Sequence, residues 1–208
     1  MSRVDVRKTH KLFIGGSFPR SESGRTYEVT DSKDQFLANM ALASRKDARD
    51  AVLAARSAVA KWSAATAYNR GQVLYRIAEV MEGRREQFIS EVSDSDGVSS
   101  RKAGAYVDAA IDRWVWNAGW ADKYAQVIGN TNPVAGPFFN FSVPEPTGVV
   151  AAVAPQDASV LGLVSVVAPI IVTGNAVIVM PSFCGRVHRS HQVVNSLPSS
   201  CDICSEPR

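Results

Sequence analysis

Residues 148–180 constrain this chain more than any other stretch. Gly148-Val149-Val150-Ala151-Ala152-Val153 is apolar at every position after the glycine, and Ala176-Val177-Ile178-Val179-Met180 repeats the pattern. A strand covered on one face alternates polar and apolar residues, whereas a run apolar throughout suits a strand covered on both, as in parallel sheets. Between the two runs, Ala158 to Val172 has the length of a helix, and Gly174-Asn175 supplies its C-terminal stop. Strand, helix and strand with short connections predict a βαβ unit, with two parallel strands side by side. The same stretch admits a second reading. Ala158 to Met180 is 23 residues without a charge, and about 20 apolar residues can span a bilayer. Pro169 and Gly174-Asn175 interrupt that run and no basic flank precedes it, so the buried βαβ is the preferred account and no membrane partner is expected.

Upstream, Lys11-Leu12-Phe13-Ile14-Gly15-Gly16-Ser17-Phe18 reads as two strands around a Gly-Gly turn, and Arg25 to Val29 as a third strand. Ser44 followed by Asp47 has capping-box spacing and opens a helix carrying Ala48, Ala51, Val52, Ala55, Val59 and Trp62 on one face. Val73, Leu74, Ile77, Val80 and Met81 mark a second helix, and Phe88, Ile89 and Val92 a short third. Ser99 to Ile128 reads as one long fourth helix, with Trp114, Trp116 and Trp120 taken as packing residues. After a Gly/Pro/Asn break at 129–137, the alternating aromatic run Phe138 to Val143 predicts a strand.

Net charge is +3, with both signs interspersed, which gives no basic face for nucleic acid. Cysteine is absent before Cys184, so the body needs no disulfides, in keeping with a cytoplasmic protein. Composition changes sharply after Ser182. Residues 1–182 hold 27 alanines and residues 183–208 none, while all three cysteines and two of the three histidines lie in that last segment. His188-x2-His191 and Cys201-x2-Cys204 offer four zinc ligands, but the spacing between the histidines is shorter than usual and no apolar periodicity accompanies them. The expectation is a disordered, metal-free tail.

Several spaced strings converge on one family. Glu145-Pro146-Thr147-Gly148-Val149-Val150, Ala154-Pro155-Gln156-Asp157, Pro169, Gly174-Asn175 and Val177-Ile178-Val179-Met180-Pro181-Ser182 occur in that order. The sequence resembles the aldehyde dehydrogenase superfamily, whose cofactor-binding segment runs E-P-x-G-V-V, P-W-N, P-A-L, G-N and V-V-x-K-P-S-E. Ser23-Gly24-Arg25-Thr26-Tyr27, Trp62, Arg70 and Leu74 are similar to that family's opening, so the resemblance covers residues 11–182. It implies an α/β fold, the N-terminal part of an aldehyde dehydrogenase-like architecture, incomplete. Its parts would be a hairpin and helices over 11–137, an oligomerisation-type strand over 138–147, the first βαβ of a Rossmann-like cofactor domain over 148–182, and a divergent tail over 183–208.

The implied activity is NAD- or NADP-dependent oxidation of an aldehyde to a carboxylic acid. By motif position, Ala154, Pro155, Gln156, Met180, Pro181 and Ser182 fall on the cofactor, and Asp157 on the family's oxyanion-binding Asn. An oxyanion donor of that kind contributes about 100- to 1000-fold in rate. An ionised Asp157 donates nothing, so only its protonated form could substitute; the alternative is that Asp157 caps the helix beginning near Ala158. Met180 and Phe183 stand where the family has the Lys and Glu that hold the adenosine ribose. The family's catalytic Cys and general-base Glu lie further along than this sequence's likeness extends. The chain therefore reads as a truncated or frameshifted member, inactive alone. The other reading is a non-catalytic remnant or binding module that self-associates or pairs with a full-length homologue through the exposed strand Ala176–Met180.

Overall fold

The computed structural model describes residues 9–31, 34–155 and 157–180. Its framework is helical. Helix α1 (Arg45–Ala64) starts at Ser44, whose hydroxyl accepts from Asp47 N while the Asp47 carboxylate accepts from Ser44 N, so the capping box forms as its spacing predicts. Helix α2 (Ala67–Glu82) is capped by Thr66 and helix α4 (Ser100–Trp120) by Ser99, each hydroxyl accepting an amide of the first turn. Between them lies α3 (Arg85–Asp96), closed by Gly97 in the left-handed conformation. Leu74, Ala78 and Met81 of α2, Ile89 and Val92 of α3, and Ala103, Val107, Ala110 and Trp114 of α4 form one buried cluster. Val164, Ala168 and Val172 of a later helix, α6 (Ser159–Val172), complete it. Small side chains let α4 approach closely: a Cβ on Gly71 of α2 would lie 3.1 Å from the Ala118 carbonyl oxygen.

The expected βαβ unit is present. Strand β4 (Val149–Val153) pairs in parallel with β5 (Ala176–Met180), from Val149 opposite Ala176 to Val153 opposite Met180, and α6 connects them. Among the described residues this sheet has two strands, and α1 and α6 pack against it. Most of its side chains are only half-buried, and Val153 and Met180 are exposed. No described helix is long and apolar enough to cross a membrane; α6 spans 14 residues.

Elsewhere the structure departs from expectation. The Gly-Gly turn forms, with Gly15 and Gly16 both at positive φ, but it joins no regular strands: Ile14 and Ser17 make an isolated bridge, and Leu12 N donates to Pro19 O at 3.1 Å. An unforeseen strand, β3 (Phe36–Ala41), instead organises the N-terminal sheet. It pairs antiparallel with β2 (Thr26–Thr30) and parallel with the short β1 (Thr9–His10). Its run Phe-Leu-Ala-Asn-Met-Ala lacks alternation, so nothing local marks it as a strand.

The long fourth helix breaks after Trp120. Ala121 N and Lys123 N turn back to the carbonyls three residues before them, and a separate short helix α5 (Tyr124–Ile128) follows. Trp114 enters the core as expected, whereas Trp116 is 60% exposed and leans on Trp120 at 5.4 Å. The run Phe138 to Val143 is not a regular strand either. Phe141 bridges Thr131, with Asn132 N and Ser142 N each donating at 2.8 Å across the pair, and Phe138, Phe139 and Phe141 stay exposed. Among the described residues no further strand lies against this bridged turn, and the rings meet mainly each other, Phe139 and Phe141 at 5.5 Å. The expectations for residues 183–208, including their disorder and the zinc-ligand pattern, lie outside the described residues.

Candidate functional site at the carboxyl ends of β4 and β5

In open α/β sheets, ligands bind beyond the carboxyl ends of parallel strands. Here that edge is formed by Val153 and Ala154 leaving β4, the loop 154–158, and Met180 ending β5. Ala154 is buried, and its N donates to Met180 O at 3.0 Å, joining two of the motif-predicted residues directly. Pro155 lies over the first turn of α6: a Cβ on Gly162 would come within 3.2 Å of the Pro155 ring and of the Asp157 carbonyl oxygen. Met180 is 53% exposed. Gln156, Pro181 and Ser182 lie outside the described residues.

Asp157 does not cap α6. The N-cap position is Ala158, held in the left-handed region at φ 53°, with no side-chain cap of its own. Asp157 is exposed. The cap comes from α3: Asp96 Oδ2 accepts from both Ser159 N (3.2 Å) and Ser159 Oγ (3.1 Å). The physical reason is the turn at Ala158, since a residue caps from an extended backbone at the N-cap itself. Asp96 was missed in the sequence. The signal for it was faint: a carboxylate on the last residue of α3, where that helix's own dipole disfavours it.

The other end of α6 is also held from outside. Trp62 Nε1 donates to Ile171 O at 2.8 Å, and Arg70 Nε donates to Val172 O at 2.9 Å. Arg70 is 6% exposed yet bonds no carboxylate among the described residues. Its other donors reach Ser63 O, Ala65 O and the Tyr124 hydroxyl. The carbonyl ends of α1 and α6 thus converge on one guanidinium, and their negative dipole ends offset its charge.

The amino ends of the strands are fixed by the Gly-Asn pair. Asn175 Oδ1 accepts from Gly148 N at 2.8 Å, its Nδ2 donates to Thr173 Oγ1, and Ala176 N donates to Gly148 O. Gly174, at φ +89°, lies where a Cβ would come 3.0 Å from Pro146. The two strings Glu145-Pro146-Thr147-Gly148 and Gly174-Asn175, separated in sequence, are therefore one contact in space. They set the register of β4 against β5 and hence where Ala154 leaves the sheet.

Residues 18–186 match the model of the aldehyde dehydrogenase family. The chain belongs to that family. It is 32% identical over 190 residues to cytosolic 10-formyltetrahydrofolate dehydrogenase of Pongo abelii, covering 88% of this chain and 21% of that protein. To aldehyde dehydrogenase, cytosolic 1, of Elephantulus edwardii it is 32% identical over 189 residues, covering 88% of this chain and 36% of the relative. Among solved structures, PnpE in complex with nicotinamide adenine dinucleotide superposes with a TM-score of 0.78 at 28% identity, covering 82% of this chain and 35% of that one. The chain thus spans roughly a fifth to a third of the length of these family members.

Among the described residues, those at this edge fit a dinucleotide poorly. Phosphates favour the amides at a helix N-terminus, but at α6 the Ser159 amide already donates to Asp96. Met180, at the end of β5, offers a thioether and no charged or hydroxyl group to a ribose.

Proposed function

We propose that this chain carries part of the cofactor-binding scaffold of an NAD(P)-dependent aldehyde-oxidising enzyme, and that the 208-residue chain does not itself oxidise aldehydes. The reading is supported by the bond from Ala154 N to Met180 O at the carboxyl ends of two parallel strands, together with the absence of a matching nucleophile motif in the sequence. Without a nucleophile the covalent route is lost altogether, rather than slowed. Asp157, at the family's oxyanion-donor position, presents a carboxylate where an amide is needed, and it would repel a developing oxyanion. Dinucleotide binding is weak in this reading, because Met180 replaces a charged ribose contact. The aldehyde is a substrate of the intact family. A cytoplasmic setting accords with the relative named cytosolic.

The test is direct. Purified chain is mixed with aliphatic and aromatic aldehydes and with NAD or NADP, and absorbance of the reduced nicotinamide is followed. No turnover is expected. Turnover abolished by Cys184→Ser would refute the proposal and assign a nucleophile to that position.

A second role rests on a separate observation. The tongue around Thr131 and Phe141 exposes Phe138, Phe139, Phe141 and Val143, with the Phe139 and Phe141 rings 5.5 Å apart. This is the segment taken as the oligomerisation strand (138–147), and its exposed aromatic surface favours association with a second copy or a full-length homologue. Sedimentation at increasing concentration tests it: a monomer throughout retires the role.

A further inference from the structure

We propose that Asp96, on the last turn of α3, is a positioning residue for the turn Asp157–Ala158 that opens α6 and so for the Asp157 backbone. Four observations carry this. The segment leaves β4 tied at Ala154 by Met180 O, and the first residue of α6 is tied to α3 by the Asp96 carboxylate, which accepts from Ser159 N and Oγ. The intervening turn passes through Ala158 at φ 53°, a conformation that L-residues other than Asn, Asp and Gly adopt reluctantly. Ala158 has no side-chain oxygen to replace the cap. Finally, the other oxygen of the Asp96 carboxylate accepts from Ser95 Oγ at 3.1 Å, so both oxygens are engaged and the carboxylate is oriented rather than free to swing.

Asp96 is poorly placed for its own helix, whose C-terminal dipole end repels a carboxylate, and well placed for α6, whose N-terminal end attracts one. It transmits the position of α3 to a loop 63 residues further along the chain. The inference rests on the preceding reading only in giving the loop a use; the positioning itself is a property of the chain.

The experiment uses the ¹⁵N-labelled full chain and measures amide exchange and backbone order at Ala158 to Gly162. In Asp96→Ala, exchange of the Ser159 amide should rise about five- to ten-fold, the fold-change equivalent of a lost N-cap. Amides of α2 and α4 should remain as they were. Asp96→Asn, which keeps an acceptor oxygen, should lose less than half of that protection. Adding Ala158→Asn to Asp96→Ala should recover part of the loop order, because Asn relieves the strain of the left-handed region that Ala158 adopts reluctantly. A residue that merely stabilised α3 would not be rescued in this way. Unchanged exchange at Ser159 in Asp96→Ala, or loosening spread equally through α3 and α4, overturns the proposal. Should Asp96→Ala fail to fold, Ser159→Ala removes only the hydroxyl half of the contact and should loosen the same amides about two-fold, as expected for half a cap; no change there overturns it equally. A parallel titration with NAD separates the two claims: a loop that answers to Asp96 supports the positioning whether or not NAD binds, whereas tight NAD binding counts against the preceding reading alone.

Discussion

Helices α1, α2 and α4 each begin at a capping hydroxyl of their own, from Ser44, Thr66 and Ser99. Helix α6 begins at Ala158, which caps nothing, and ends at carbonyls claimed by Trp62 and Arg70. The first group is specified segment by segment; the second takes its end groups from residues far away in sequence. The contrast teaches which parts of the molecule stand by themselves. In the α1–α4 layer three of the four helices carry their own side-chain caps, whereas α6, which shares their core, takes both of its end contacts from that layer.

The largest effect should come from the residue that joins the two regions. Arg70→Ala would orphan the acceptors at Ser63, Ala65, Val172 and Tyr124 together. Each buried acceptor left without a donor costs about 1–3 kcal/mol, and Arg70→Lys should recover little, since an ammonium cannot reach that fork of acceptors. Chemical denaturation measures both. A loss below about 1 kcal/mol, the level of an ordinary exposed contact, would dissolve the distinction between the regions.

Next comes Asp47. Burial pushes its carboxyl up, but bonds from Ser44 N, the Ser21 hydroxyl and Glu22 N outweigh that and hold it below the usual carboxylate value. A depressed folded value means that its stabilisation is present above the unfolded carboxyl range, near pH 4, and disappears as pH falls through the lower folded value. Asp47→Asn should therefore cost about 1 kcal/mol at pH 7 and flatten the decline of thermal midpoint below pH 4. An acid limb identical to that of the wild type would show that Asp47 does not contribute to it.

The smallest change sharpens the comparison most. Ser99→Ala should cost roughly 1 kcal/mol, the usual value of a cap, and lower the thermal midpoint by about 2–4 °C for a chain of this size. Its effect on amide exchange should remain in α4. If protection in β4 and β5 falls as well, the helical layer is less self-sufficient than its caps suggest.

Legibility in the sequence follows the same division. The Ser44–Asp47 box, the apolar faces of α1 to α4 and the βαβ pattern are written in neighbouring residues, so spacing alone reveals them. Strand β3 is not, because Phe36 to Ala41 has no alternation and becomes a strand only between β1 and β2. The long helix was overextended since nothing in the Trp120-Ala121-Asp122 run is a helix breaker. At the site, motif position names Ala154 and Met180, and in the structure one hydrogen bond joins them. Asp157 was read as a cap because its side chain suits one, and the left-handed turn at Ala158 was invisible. Asp96 lay beyond reach for a simpler reason: its function depends on a partner from another element.

Counted along the chain, the ties at the C-terminal end of α6 are long. Trp62 and Ile171 are 109 residues apart and Arg70 and Val172 are 102 apart, whereas Ser44 and Asp47 are three apart. Each doubling of a closed loop adds about 0.6 kcal/mol of entropy, so about five doublings place roughly 3 kcal/mol between the two kinds of closure. The order of events follows from that interval. During synthesis, at about 5–20 residues per second, Arg70 and Trp62 emerge roughly 5–20 seconds before the carbonyls they are destined to hold, and through that time a charge built for the interior must stay in water.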